Sequence, residues 1–380
     1  MNKFVKIAAC ALIPMGSFAT GDTEWYPVAQ APEKVVQERK LIWILEDGLN
    51  GDGDWEATAK YAKENGYTDV IARLARGGVA FYESKVVPVS PVVREKGDLL
   101  RKAVAACHKY GIRLHAWKVF WRLNMAPDAY VKKALAEDRV MYGRTLTPFS
   151  SAWRDPSGKI VKGEKNDYWL CPADPRNREE EKAVMLEMAS LGVDGVHFDY
   201  IRYNAWYGCY CSRCRAAYEK RMGKACAHWP QDVDPMVQIN PLWLKMRCET
   251  ITSLVRETAA EVKKAYPSCE VSAAVFPGVD EHIYHAQPWH DWCREGILDF
   301  VCPMTYYRGN DDLLREKVIH LVPTMQESPK TRIYPSVGVV NGKTSVEEVD
   351  RQADIVRWAG FPGVSYYILN KDSAAGLKAR

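Results

Sequence analysis

The stretch "GVDGVHFDYIRYNAWYGCYCSRC", Gly192 to Cys214, sets a carboxyl group at the end of an apolar run and three thiols shortly after it. In an extended chain alternate side chains fall on opposite faces. Val196, Phe198 and Tyr200 share one face, and His197 and Asp199 share the other. If the first face lies beneath helices, Asp199 stands on the inner face at the strand's end, with His197 one layer deeper. A carboxyl group so placed suits proton transfer. The simpler use of Asp199 is an ion pair with Arg202. An apolar strand seldom ends in an inward charge without a purpose, so chemistry is the preferred reading for Asp199. For His197 a satisfied core histidine is preferred, with a catalytic role as the alternative.

Further candidates stand where other apolar runs end. Glu46 and Asp47 follow "LIWIL", and Asp280 and Glu281 lie in "FPGVDEHIYH". Arg73, Lys118, Arg202 and Arg308 occupy similar positions. These cations either neutralise the carboxylates or bind an anionic ligand, a task to which arginine's two-pronged geometry is suited. The rings of Trp121, Tyr203, Trp206, Tyr207, Tyr306, Tyr307 and Tyr366 offer stacking platforms, although much of this aromatic content must serve packing. Cys209, Cys211 and Cys214 form C-x-C-x-x-C. Three thiolates at that spacing can close on one tetrahedral zinc if a fourth ligand arrives, Cys226 being a local candidate. Disulfides and free thiols are the other readings. No H-E-x-x-H spacing marks a catalytic metal site, and no organic cofactor is expected.

These residues need a scaffold that gathers strand ends. Eight strand-like runs, at 41–47, 69–75, 113–121, 195–203, 270–278, 299–307, 332–340 and 363–369, alternate with segments of helical period. Glycines close several of the helical segments (Gly66, Gly111, Gly192, Gly360), and Asp54, Asn177 and Ser345 fit as N-caps. The predicted fold is α/β, a (β/α)8 TIM barrel with long insertions after the third and fourth strands. A doubly wound open sheet is the alternative, but no G-x-G-x-x-G follows the first strand. In a barrel, loops after the strands build the active site.

The N-terminus reads as an export signal over 1–19: Lys3 and Lys6, an apolar run, and Ser17-Phe18-Ala19 before the cut. Cys10 also fits a lipoprotein cysteine loosely. Residues 20–40 read as a leader and 41–380 as one barrel. The expected location is therefore secreted or periplasmic. No later run of about 18 apolar residues suggests a membrane span. With 380 residues and 47% hydrophobic content the chain can bury a large core. A net charge of +4 does not suggest a nucleic-acid surface.

"LGVDGVHFDYIRY", with "LHAWKVFW", "LCPADPRNREEE" and "DFVCPMTYY" around it, resembles the glycosyl-hydrolase-like family ten, secreted bacterial barrels classed as glycoside hydrolases. The resemblance covers roughly 40–340 and implies a carbohydrate-active barrel with Asp199 in its active site, taking an oligosaccharide or glycan. Glycosidic hydrolysis uses two carboxyl groups, one as proton donor and one as nucleophile or base. Asp280 or Glu281 is the first choice of partner for Asp199, and Glu46 or Asp47 the second. An anionic sugar such as a sialic acid would use the basic residues. A barrel that binds carbohydrate without cleaving it is the alternative function. "CYCSRCRAAYEKRMG" is also similar to the zinc loop of family forty-two β-galactosidases. That resemblance implies a structural zinc on Cys209, Cys211, Cys214 and a fourth cysteine from a preceding loop, the place held by Cys171.

Overall fold

The computed structural model describes residues 38–151, 153–154, 160–162, 167–204, 208–278, 283–338 and 344–370. The expected signal segment and nearly all of the expected leader lie outside these residues. The strands and helices follow in order: β1 (Arg39–Ile44), α1 (Trp55–Glu64), β2 (Asp69–Arg76), β3 (Val79–Ala80), α2 (Pro91–Lys96), α3 (Leu99–Lys109), β4 (Arg113–Val119), α4 (Asp128–Ala136), β5 (Trp153–Arg154), β6 (Ile160–Lys162), α5 (Pro175–Ser190), β7 (Gly195–Asp199), α6 (Ser212–Met222), α7 (Pro241–Ala265), β8 (Glu270–Val275), α8 (Trp289–Glu295), β9 (Phe300–Pro303), α9 (Asp311–Glu327), β10 (Arg332–Ile333), β11 (Ser336–Gly338), α10 (Val346–Trp358) and β12 (Gly363–Leu369).

The parallel strands run β9-β8-β7-β4-β2-β1-β12 across the sheet. The ring closes through one interrupted strand. β10 pairs with β9, and β11 pairs with β12. Between them the Tyr334 amide donates to Val301 O at 2.9 Å, and Pro335 O accepts from the Ser365 amide at 3.1 Å. Pro335 has no N–H to continue the ladder. The fold is the expected (β/α)8 barrel. The long connections hold α4, β5, β6 and α5 after β4, and α6 and α7 after β7.

Two apolar layers follow from the strand period of two. One lies between strands and helices and includes Val70, Ala72, Leu114, Ala116, Val196 and Phe198. The other fills the barrel with Leu41, Trp43, Ile71, Trp117, Val119, Ala274, Phe300, Cys302, Tyr334 and Ile368. At the barrel floor Arg39 clamps two carboxylates. It bonds Asp69, and it reaches Glu270 at 2.9 and 3.0 Å, while His115 Nε2 lies 2.9 Å from Asp69. Burial pushes the Asp69 carboxyl up, but its bonds to His115 and Arg39 hold it well below the usual carboxylate range. Asp69, His115 and Glu270 have the donor atoms for a metal, yet the Arg39 guanidinium already supplies the positive charge there. β7 opens on glycine because a Cβ at Gly195 would lie 2.2 Å from His115 Nδ1.

Candidate active site

β7 carries Asp199 at its C-terminal end, its side chain 7% exposed. Its oxygens accept from Trp117 Nε1 at 3.0 Å and from the Tyr200 amide at 2.7 Å, and Arg202 Nη1 stands 3.9 Å away. Burial raises the Asp199 carboxyl above the usual range. Arg202, the two N–H donors and Arg76 only partly offset this. The group therefore holds its proton to higher pH than an ordinary aspartate, as a general acid must.

Beneath it the interior is aromatic. Trp117 meets Trp43 edge-on at 4.9 Å, and Trp43 meets His197 at 4.8 Å. His197 is fully buried and its Nδ1 lies 2.7 Å from Ser272 Oγ. Burial, together with the nearby His115, pushes it well below the ordinary histidine value. It lies within the packed core, one layer below Asp199.

Around Asp199, Arg73 spans two parts of the mouth. It donates to both Glu46 oxygens at 2.7 and 3.0 Å, and its guanidinium lies 5.7 Å from the Trp117 ring centre. Arg202 stacks on Tyr200 and Phe276 at 4.2 and 4.5 Å. Tyr306 and Tyr367, both half-buried, stack on each other at 4.8 Å, and each lies close enough to Asp199 to feel its charge. Asp47 pairs with Lys96 at 3.3 Å.

Four expected ligand contacts are placed elsewhere. Lys118 alternates with inward Trp117, so it faces outward, is fully buried, and its Nζ lies 2.6 Å from Glu181 of α5. Tyr366 alternates with Tyr367 and packs edge-on to Tyr67 at 5.6 Å. Trp121 lies past the end of β4, buried in the outer layer. Tyr203 is also buried, with the Arg247 guanidinium 4.5 Å from its ring centre. None of these four offers a surface to a ligand. Trp117, Tyr200, Arg76 and Tyr367 stand close to Asp199 instead. The strict alternation through Trp117-Lys118 and Tyr366-Tyr367 was the signal that identifies two of them. Arg308 is exposed. Asp280, Glu281, Trp206 and Tyr207 lie outside the described residues.

Cys209 and Cys211 on the loop following β7 and Cys214 in the first turn of α6 meet Cys171, with all four sulfur atoms within 4.8 Å of one another. Cys171 Sγ lies 3.8 Å from Cys211 and 3.6 Å from Cys214. A tetrahedral metal with bonds of about 2.3 Å has sulfur–sulfur edges of about 3.8 Å, whereas a disulfide needs about 2.0 Å. The donor set and spacing fit a closed, structural zinc. Cys226 is not part of this group.

A ring of parallel strands alternating with helices defines the class as a (β/α)8 barrel, with a buried acid at the C-terminal end of one strand. The chain belongs to the Glycosyl hydrolase-like 10 family, whose model matches residues 56–333. Among solved structures, the barrel is similar to the PgaB (BpsB) glycoside hydrolase domain from Bordetella bronchiseptica, with a TM-score of 0.63 at 13% identity over 89% of this chain and 95% of that one. It is also similar to the β-galactosidase from Bacillus circulans sp. alkalophilus, with a TM-score of 0.60 at 10% identity over 90% of this chain. The β-galactosidase from the psychrophilic Marinomonas ef1 gives 0.57 at 12% identity over 89% of this chain. The chain spans 55% and 58% of those two galactosidases. No curated protein matches the sequence. The family makes this a glycosyl-hydrolase-like, carbohydrate-active barrel.

Proposed function

We propose that the protein is a glycoside hydrolase in which Asp199 is the proton donor. The observation that carries this reading is the Asp199 carboxyl itself: inward at a strand end, held by Trp117 and Tyr200, and raised by burial. In the reaction Asp199 passes its proton to the glycosidic oxygen as the bond to the anomeric carbon breaks. A second carboxylate serves that carbon, as nucleophile or as base for a water. Glu46, ion-paired with Arg73 at the mouth, is the described candidate for this role. Its setting differs from that of Asp199, and paired carboxyl groups in unlike surroundings are how one site holds an acid and a base together. The Tyr306–Tyr367 stack supplies aromatic faces for sugar rings.

The finer parts of the proposal are an exported enzyme, an anionic sugar such as a sialic acid as substrate, and one structural zinc on the four cysteines. Export is supported by the character of residues 1–19. Among the described residues no helix is long and apolar enough to cross a membrane. A carbohydrate-binding barrel without catalysis is the second reading, favoured by the two-pronged engagement of Glu46 with Arg73. Released sugar from a glycan panel distinguishes them. The hydrolase yields monosaccharide that Asp199→Asn does not, and the binder yields none.

A further inference from the structure

Arg76 reaches the mouth by an irregularity in β2. Arg73 faces Trp117 across the β2–β4 pair; then Ala75 faces Lys118 and Arg76 faces Val119, so Leu74 is an extra residue. Without it, simple alternation from inward Arg73 would turn Arg76 out toward the helices. With it, Arg76 shares the face of Val119, which lies inside the barrel. Such bulges re-aim side chains near functional sites.

The guanidinium delivered there has no counter-charge of its own. The residue is 6% exposed. Its Nη2 bonds the neutral Asn124 Oδ1 at 2.5 Å, and its Nε has no partner. Among the described residues no carboxylate lies within ion-pair distance of it. The neighbouring cations have theirs. Arg73 is bonded to Glu46, and Arg122 to Asp167 at 2.7 and 2.8 Å. Asp199 and Glu46 act on Arg76 only at longer range. Burial, with Arg73 and Arg122 nearby, pushes Arg76 down to about 10. A buried cation without a paired anion is costly, and the fold spends a bulge to put one beside the acid.

We propose that Arg76 forms a carboxylate-binding subsite beside Asp199 that takes the acidic group of a uronic or sialic acid residue. This rests on the carbohydrate-active reading above and assigns the anionic preference to one residue. The recognition element is the guanidinium's unpaired positive charge, since a guanidinium meets a carboxylate with strong charge-assisted bonds. Of the cations expected from the sequence, Lys118 is committed to Glu181 and Arg73 to Glu46.

The test is calorimetric binding of glucuronate, N-acetylneuraminate, glucose and N-acetylglucosamine to the full chain at pH 7, for wild type, Arg76→Gln and Arg76→Lys. Wild type should bind an acidic sugar roughly tenfold or more tighter than either neutral one. Whichever acid binds tighter identifies the source of the carboxylate. Arg76→Gln should abolish the preference, and Arg76→Lys should keep part of it. Equal binding of acidic and neutral sugars, or binding of neither, overturns the subsite. So does a preference that survives in Arg76→Gln. If that variant melts too low to use, an undiminished preference in Arg76→Lys decides against the subsite. A changed pH profile with an unchanged preference would make Arg76 a positioning residue for Asp199 and also refute it. Sugar release without acidic preference refutes this subsite alone; acidic preference without any sugar release refutes the hydrolase reading alone.

Discussion

Trp117 Nε1 donates to Asp199 Oδ2 at 3.0 Å, from the strand adjoining the one that carries the acid. This bond favours the ionised carboxylate, so it works against the burial that raises Asp199. Trp117→Phe keeps a ring and deletes the donor. The alkaline limb of the pH–rate profile should then move to higher pH, because the carboxyl loses a bond to its charged form. The rate below that limb should fall by roughly tenfold as the acid loses its anchor. A pH–rate profile on a cleavable glycan checks both. An alkaline limb that moves to lower pH would contradict the assignment.

Asp199 also costs stability when it ionises. Its folded-state value lies above the unfolded one, so the native state holds the proton where the unfolded chain has released it. The stabilisation is fully present below the unfolded value, about 4, and is lost as pH rises through the folded value. Asp199→Asn removes this dependence. Its melting temperature relative to wild type should rise as the pH is raised above about 4. Thermal melts across pH would show it, and a difference that shrinks with rising pH would refute it.

The floor behaves in the opposite sense. Arg39 and His115 hold Asp69 low against its burial, and Arg39 does the same for Glu270. That stabilisation is present above the unfolded carboxylate values and disappears as pH falls through the folded ones. Arg39→Leu removes the clamp from two carboxylates that keep only Arg113 and His115 on Asp69 and Arg332 on Glu270, at a cost of about 1–3 kcal/mol near neutral pH. Chemical denaturation at pH 7 and in acid should find the gap to wild type narrowing in acid.

The cysteine cluster makes a compositional prediction. Protein purified without a histidine tag should carry about one zinc per chain, and Cys171→Ser should lower both zinc retention and melting temperature. Metal analysis with intact mass checks it. Paired thiols without metal would favour disulfides.

The barrel was legible because its signal is periodic and redundant. All eight strand runs lie where the alternation of apolar segments put them, but the seventh is interrupted as β10 and β11, and strands end early at 44, 119, 199, 275 and 303. His197 and Asp199 could be read for the same reason, since a period of two leaves no choice of face. The mouth was less legible. Treating every polar residue at a strand end as a mouth residue enlisted Lys118 and Tyr366, whose neighbours Trp117 and Tyr367 hold the inward positions. The partner of Lys118, Glu181, is remote in sequence and announces nothing locally. Arg76 depends on a bulge, and a bulge breaks the very period by which faces are read. Trp121 and Tyr203 sit beyond the strands, where the path of the chain rather than alternation decides burial.

The central claim is that Asp199 donates the proton in glycosidic cleavage. The most direct test is monosaccharide release from a panel of neutral and acidic glycans by wild type and Asp199→Asn, with melts run alongside. The account predicts release by wild type and a loss of at least about a hundredfold in the variant, with a melting temperature no lower than wild type. Release undiminished in a folded Asp199→Asn protein would contradict it.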